Sequence, residues 1–255
     1  MYAAERQQLL AERLHQDGRL AVIDLAEELD VSSETIRRDL AVLERDGLAQ
    51  RVHGGAVAAR ALTVLEPGLA QRTSTNAEQK ERIAREAVAF LPEAGGSIVL
   101  DAGTTISHLV DAIPLDHPLT VITHAIPTAS KLTAIPSVSL HLLGGRVRGV
   151  TAAAVGQTTI DALASLQVDV CFLATNAASP GHGLSTPDAE EAAVKRALAR
   201  SARTVVAVLD SSKFSVEHVF SFATYDDLDV VVTDKDAATA DVEALRAHGV
   251  EVVLA

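Results

Sequence analysis

Apolar residues recur every three or four positions through the first 45 residues. Leu9, Leu10 and Leu14 predict one helix, Leu25, Ala26 and Leu29 a second, and Ile36, Leu40 and Leu43 a third. Val31 falls between the second and third as an apolar plug, and Ser32 or Ser33 can cap the third. The run VIDLAEELDVSSETIRRDL thus reads as helix, tight turn, helix. LERDGLAQRVHGGA then extends the third helix, closes it at Gly47 and makes a hairpin whose turn is His53-Gly54-Gly55. From Ala58 to Ala77 the periodicity lapses, with Glu66-Pro67-Gly68 and a Thr/Ser/Asn cluster, which reads as a linker. Beyond it, apolar runs at 97–100, 120–123, 138–143, 168–174, 204–209, 230–232 and 252–254 predict strands. Helical segments are expected at 83–91, 106–113, 126–132, 159–166, 190–199 and 242–248. Strands alternating with helices predict an α/β domain with a mostly parallel sheet.

The order helix-turn-helix, then a glycine-tipped wing, is that of a DNA-reading module. With Ile36 inward, Glu34, Arg37, Arg38, Ala41 and Arg45 point outward. The first turns of a helix in the major groove meet base edges, so Ser32, Ser33, Thr35, Arg37, Arg38 and Arg45 are the candidate contacts on this helix. Arg51 and His53 on the wing suit phosphate or minor-groove contacts. Two arginines alone would fit any solvated helical face; the ordered string with its wing is what singles this one out.

Composition sharpens the picture. At 255 residues, 48% hydrophobic and 22% charged, the chain is expected to be globular. Its formal net charge of -12 is opposite to that of a uniformly basic DNA binder. Phosphate attraction must come from local placement of Arg37, Arg38, Arg45 and Arg51, so specific binding should need two modules and hence an oligomer. Cys171 is the only cysteine, which excludes an intrachain disulfide. No metal-ligand spacing occurs, and neither a leader nor a membrane-spanning apolar stretch is read, so a cytoplasmic protein without cofactor or metal is expected.

In parallel sheets, ligands bind beyond the carboxyl ends of the strands. After the first strand comes Asp101-Ala102-Gly103-Thr104-Thr105, opening a helix whose free N–H groups suit an anion. After the third comes Gly144-Gly145-Arg146-Val147-Arg148, and after the fifth Asp210-Ser211-Ser212-Lys213. Gly103, Thr104, Thr105, Arg146, Arg148 and Lys213 together suit a small phosphorylated ligand, although each alone is as well explained by a turn, a cap or surface charge. Neither GxGxxG nor GxxxxGK[ST] occurs, which removes the main support for dinucleotide or nucleoside triphosphate binding.

VSSETIRRDL with RVHGGA, then DAGTT, LLGGRVR, GLSTPDAEEAAVKRAL and LDSSKF, together resemble the DeoR family of bacterial sugar-responsive transcriptional regulators over essentially the full length. The resemblance implies a winged helix-turn-helix at 1–57 and a linker at 58–77. At 78–255 it implies an α/β sensor and oligomerisation domain, related to ribose-phosphate isomerases and sugar-phosphate deaminases. It further implies a repressor, dimeric or tetrameric, that binds operator DNA and answers to a phosphorylated sugar. The phosphate cradle falls on Gly103, Thr104, Thr105 and Lys213, and sugar contacts fall near Asp101, Gly144, Gly145, Arg146, Asn176, Asp188 and Lys195. The run from TPDAEEAAVKRAL to LDSSKF resembles regulators of fructose or related sugar operons, which makes fructose-1-phosphate the first effector to test.

Three positions depart from the family pattern. His124 replaces an asparagine, and Ala174 and Ala177 flank Thr175-Asn176 where glycines are common. An alanine at a position that needs positive φ would force a different backbone, which bears on the effector and its binding. Two other functions fit parts of the chain. Asp188, Glu190, Glu191 and Lys195 could serve a sugar-phosphate isomerase or deaminase as acid–base groups. The plainer account of Glu191 and Lys195 is an i,i+4 pair on an exposed helix. A DNA binder with a non-sensing scaffold domain is the remaining alternative.

Overall fold

The computed structural model describes residues 3–17, 19–45, 48–52, 54–58, 66 and 68–255. The chain divides into two compact units, residues 1–63 and 64–255.

In the first unit, helices α1 (Ala3–Asp17), α2 (Val22–Glu28) and α3 (Ser33–Arg45) pack around Leu10, Leu14, Leu25, Ile36, Leu40 and Leu43, the stripes expected from spacing. Val31 packs against this core as the plug between α2 and α3. Ser32 caps α3, its Oγ accepting from the Thr35 N–H at 3.1 Å. Asp39 is buried on the inner face of α3, where it accepts from Arg6 Nε at 2.6 Å and Gln7 Nε2 at 2.8 Å of α1. The wing is one strand larger than expected: β1 (Arg19–Ala21) pairs antiparallel with β3 (Gly55–Ala58), which pairs with β2 (Ala49–Val52). Gly55, expected in the turn, is instead the first residue of β3. A Cβ there would stand 1.9 Å from the Leu20 carbonyl oxygen, so only glycine lets β3 approach β1. Gly47, the expected close of α3, lies outside the described residues.

The second unit is built on seven parallel strands in the order β15-β14-β12-β9-β4-β5-β6. These are β4 (Ser97–Leu100), β5 (Leu119–Thr123), β6 (Val138–Leu142), β9 (Val168–Ala174), β12 (Ala202–Val208), β14 (Val230–Thr233) and β15 (Glu251–Leu254), and all seven expected runs are among them. Alternation sends Val170 and Phe172 to one face and Cys171 and Leu173 to the other. One face packs on α5 (Ala77–Ala87), α6 (Thr104–Ala112) and α7 (Ile126–Leu132) through Ile83, Ile106, Leu109 and Leu132. The other packs on α8 (Gln157–Ala164), α9 (Ala189–Arg200) and α10 (Thr239–Ala247) through Leu163, Val194, Leu198 and Leu245. Burial on both faces explains why the central strands read as unbroken apolar runs.

Smaller elements complete the unit: the antiparallel pair β7 (Arg146–Arg148) and β8 (Ala153–Val155), and a sheet of β10 (Ala177–Ser179), β11 (Gly183–Thr186) and β13 (Phe220–Ala223). Within the stretch expected as linker, α4 (Leu69–Ser74) is helical, and α5 begins at Ala77. No described helix is long and apolar enough to cross a membrane.

Gly55→Ala is expected to destabilise the first unit by about 1–3 kcal/mol or more, because the added methyl meets backbone that cannot yield. Thermal denaturation followed by hydrogen exchange should show loss of protection in residues 3–58 with the large sheet unaffected.

Candidate functional site

The direction of the chain across the large sheet reverses once. It moves outward from β4 through β5 to β6, then returns to the other side of β4 with β9 and continues through β12 and β14 to β15. The crevice between the carboxyl ends of β4 and β9 is therefore the topological switch point, where open parallel sheets take ligands. Asp101 follows β4 and Ala174 ends β9 at its mouth.

Asp101 is fully buried. Its carboxylate accepts from the N–H groups of Ala102 at 2.7 Å and Ala174 at 2.9 Å, and from Lys195 Nζ of α9 at 2.5 Å. His124 stands just past β5 with Nε2 3.1 Å from the same carboxylate and Nδ1 2.8 Å from the Ala154 carbonyl oxygen. Lys195 also donates to the Ala174 carbonyl at 3.0 Å and lies 5.4 Å from the centre of the Phe222 ring. Burial alone would raise the Asp101 pKa, but the Lys195 ammonium and His124 outweigh it and hold the group at about 2. Beneath it, burial pushes the Cys171 thiol well up, and the Asp101 charge adds to the effect.

Gly103 sits where a Cβ would come within 2.7 Å of the Ala174 methyl, so the two positions are matched in size. Neither Ala174 nor Ala177 takes a positive φ, and the backbone distortion considered for an alanine at a glycine position does not arise. Thr104 and Thr105 open α6 with side-chain hydroxyls that have no hydrogen-bond partner among the described residues. Lys213, in the 3-10 turn after β12, is half-buried and has no ion-pair or hydrogen-bond partner among the described residues. Lys80 of α5 is buried, donates to the carbonyls of Arg72 at 2.5 Å and Thr75 at 2.6 Å, and feels the charge of Lys213.

The remaining candidates form a second group. Arg148 pairs with Glu66 at 2.5 Å, Asp188 at 3.1 Å and Glu191 at 3.2 Å. Asn176 Nδ2 donates to Glu66 at 3.1 Å, and Arg72 lies 3.3 Å from the same carboxylate. Asp188 also caps α9, accepting from the N–H groups of Glu190 and Glu191. Gly144 and Gly145 lead into β7, and the Thr159 hydroxyl donates to the Gly144 carbonyl at 2.9 Å. Arg146 is exposed and pairs with Glu190.

In the first unit, Ser32, Arg37, Arg38 and Arg45 of the helix-turn-helix are exposed, and Ser33 and Thr35 are half-buried. Arg37 lies 3.7 Å from Glu34, an exposed pair that holds it weakly. Arg38 has no partner among the described residues. The side chain of Arg51 and the whole of His53 lie outside the described residues.

Residues 6–61 match the DeoR-like helix-turn-helix domain, and residues 75–235 match the DeoR C terminal sensor domain. The chain belongs to the DeoR family. It is 33% identical over 241 residues to the uncharacterized HTH-type transcriptional regulator FruR of Bacillus subtilis, covering 94% of this chain and 95% of that one. It is 30% identical over 252 residues to the putative aga operon transcriptional repressor of Escherichia coli O157:H7, covering 98% and 93%. Among solved structures, ribose 5 phosphate isomerase A from Neisseria gonorrhoeae superposes with a TM-score of 0.42 at 14% identity over 56% of each chain.

This DeoR-family chain differs from its sequence reading chiefly on α9. Glu191 and Lys195 are not an exposed i,i+4 pair: each is 3% exposed. Lys195 turns to Asp101, while Glu191 accepts from Thr151 and pairs with Arg148. Lys80, Arg72 and Glu66 are not among the candidate site residues of the sequence, and their tertiary partners reveal them; His124, noted there only as a departure from the family pattern, is brought into the site by Asp101. Lys80 precedes the helix expected at 83–91, and only its spacing of three residues from Ile83 hints that it shares the buried face of α5.

Asp101→Asn leaves the Lys195 ammonium without its counter-charge and should cost about 3–5 kcal/mol. The folded pKa of Asp101 lies below its ordinary 3.8, so its contribution is complete above about pH 4 and is lost as the pH falls toward 2. Urea denaturation of wild type and variant at pH 7, 4 and 2.5 should show the gap between them narrowing with acid.

Proposed function

We propose that this protein represses a sugar-utilisation operon and that a phosphorylated sugar sets its affinity for operator DNA. Lys213 carries the reading. A half-buried ammonium that no described residue pairs invites an anion, and here it stands in the field of a buried cation, Lys80. Burial lowers the pKa of Lys80 to about 8; Asp210 opposes the shift, and Lys213 and Arg72 add to it. A phosphate supplies the absent negative charge. The hydroxyls of Thr104 and Thr105, at the N-terminus of α6 and without a partner among the described residues, offer neutral donors at the end of β4, across β9 from the loop of Lys213.

Asp101, Gly144, Gly145, Arg146, Arg148, Asn176, Asp188 and Lys195 surround the sugar end, either in contact or by holding the crevice in shape. Fructose-1-phosphate is the first candidate effector. In the DNA-binding unit, Ser32, Ser33, Thr35, Arg37, Arg38 and Arg45 read the operator, with Arg51 and His53 on the backbone or minor groove. Two heads of an oligomer, dimer or tetramer, supply the affinity that one acidic module lacks. The acid–base groups of the enzyme alternative are committed elsewhere: Lys195 to Asp101, Glu191 to Thr151 and Arg148, Asp188 to the cap of α9.

Fluorescence anisotropy on DNA from the protein's own upstream region, at fixed salt, tests the reading. Fructose-1-phosphate, fructose-6-phosphate or glycerol-3-phosphate should shift the affinity, and the unphosphorylated sugars should not. Tight binding that no member alters would favour a scaffold domain, and no specific binding would overturn the proposal. Lys213→Met should abolish the effector response while leaving operator affinity intact. Arg38→Ala should weaken operator binding by about 1–3 kcal/mol, or roughly 5- to 150-fold.

A further inference from the structure

The first segment of the second unit crosses the carboxyl edge of the large sheet as a strap. At one end, Glu66 is held by Arg148 of β7, by Asn176 after β9 and by Arg72 of α4. At the other, Asn76 Nδ2 donates to Asp210 Oδ1 at 2.9 Å, in the loop that carries Lys213. The strap therefore joins the two groups of side chains that the proposed effector site comprises. It also follows directly on the unit that holds the helix-turn-helix, which ends at residue 63.

Two arginines and an amide present N–H donors that sugar hydroxyl oxygens can accept, with Asp188 and Glu191 still balancing Arg148, and here the chain's own carboxylate fills the position. The Glu66 side chain is only 3% exposed, and those three donors take the place of the water it has lost. The fit is incomplete. Arg72 Nε is buried with no acceptor among the described residues, and its contact with Glu66 is much longer than that of Arg148. A buried donor without an acceptor weakens the strapped state relative to any arrangement that supplies one.

We infer that Arg148, Asn176 and Arg72 form a subsite for the sugar end of the effector, and that Glu66 occupies it as an internal competitor until the effector displaces it. The inference rests on the sugar-phosphate reading of the same site. Effector binding then frees the strap at Glu66, and operator affinity changes with it. By linkage, whatever holds Glu66 in place also opposes the effector.

The test compares full-length wild type with Glu66→Gln, which removes the charge and keeps the size. Calorimetry with fructose-1-phosphate, fructose-6-phosphate and glycerol-3-phosphate is paired with anisotropy on upstream DNA. The variant is expected to bind the responding sugar phosphate at least tenfold more tightly. Its operator affinity without effector should already match that of liganded wild type. Asn76→Gly loosens the far end of the strap and keeps the left-handed backbone, at φ 53°, within easy reach; it should move both readouts the same way. Equal effector affinity in wild type and Glu66→Gln would overturn the inference and leave the sugar-phosphate reading standing. Binding of no sugar phosphate by either would overturn both.

Discussion

A carboxylate buried at the centre of a parallel sheet must find its partners or lose its charge, and Asp101 draws them from four parts of the chain. Lys195 comes from α9, His124 from the end of β5, and N–H groups from the turn after β4 and from the last residue of β9. The loops beyond three strands are thereby set in one register. Gly103 can lie against Ala174 only because that register brings the two together. The crevice at the switch point is thus not a gap left between strands; its walls are positioned by a charge that is itself sealed from water.

The same logic separates framework from surface in both units. Charges that hold elements together are wholly or partly buried and paired, as Arg6 is with Asp39 in the first unit and Arg148 with its three carboxylates in the second. Arg38 on the helix-turn-helix and Lys213 beyond β12 have no partner among the described residues, as is also true of the exposed Arg82, Arg200, Lys235 and Arg246; of these Lys213 alone is half-buried. On a chain of net charge -12, their isolation is local and short-ranged, because salt screens exposed charges within about 10 Å. Both ligands in the proposed function are phosphate-bearing, and the residue proposed to meet each is a cation with no partner among the described residues.

Most of the architecture was legible in the sequence for a physical reason. Strands buried on both faces appear as unbroken apolar runs such as TVVAV and VVVT, and the helices of the first unit carry complete stripes. What escaped was short or small. β7, β8 and β10 have three residues each, too few to show a period, and AAV and AAS carry little apolar signal. α4 has no buried residue, so nothing in its pattern distinguishes it from a linker, and it is held through Arg72, which pairs with nearby Glu66 and donates to the distant Val150 carbonyl. The spacing of Glu191 and Lys195 fits an exposed helix as well as a buried one. Only the arrival of Asp101, Thr151 and Arg148 from other elements decides between them. Candidate residues at strand ends could be found from the fold class, but their grouping depended on Glu66 and Asn76, which have no motif of their own.

Cys171 gives the molecule a built-in reporter. It is the single thiol of the chain, it lies on the central strand with no exposure, and its proton is held by burial and by the carboxylate above it. A thiol in that state does not react until the sheet around it opens. Its rate of alkylation under native conditions therefore measures how often the middle of the large sheet comes apart, with no label introduced and no other thiol to confuse the signal.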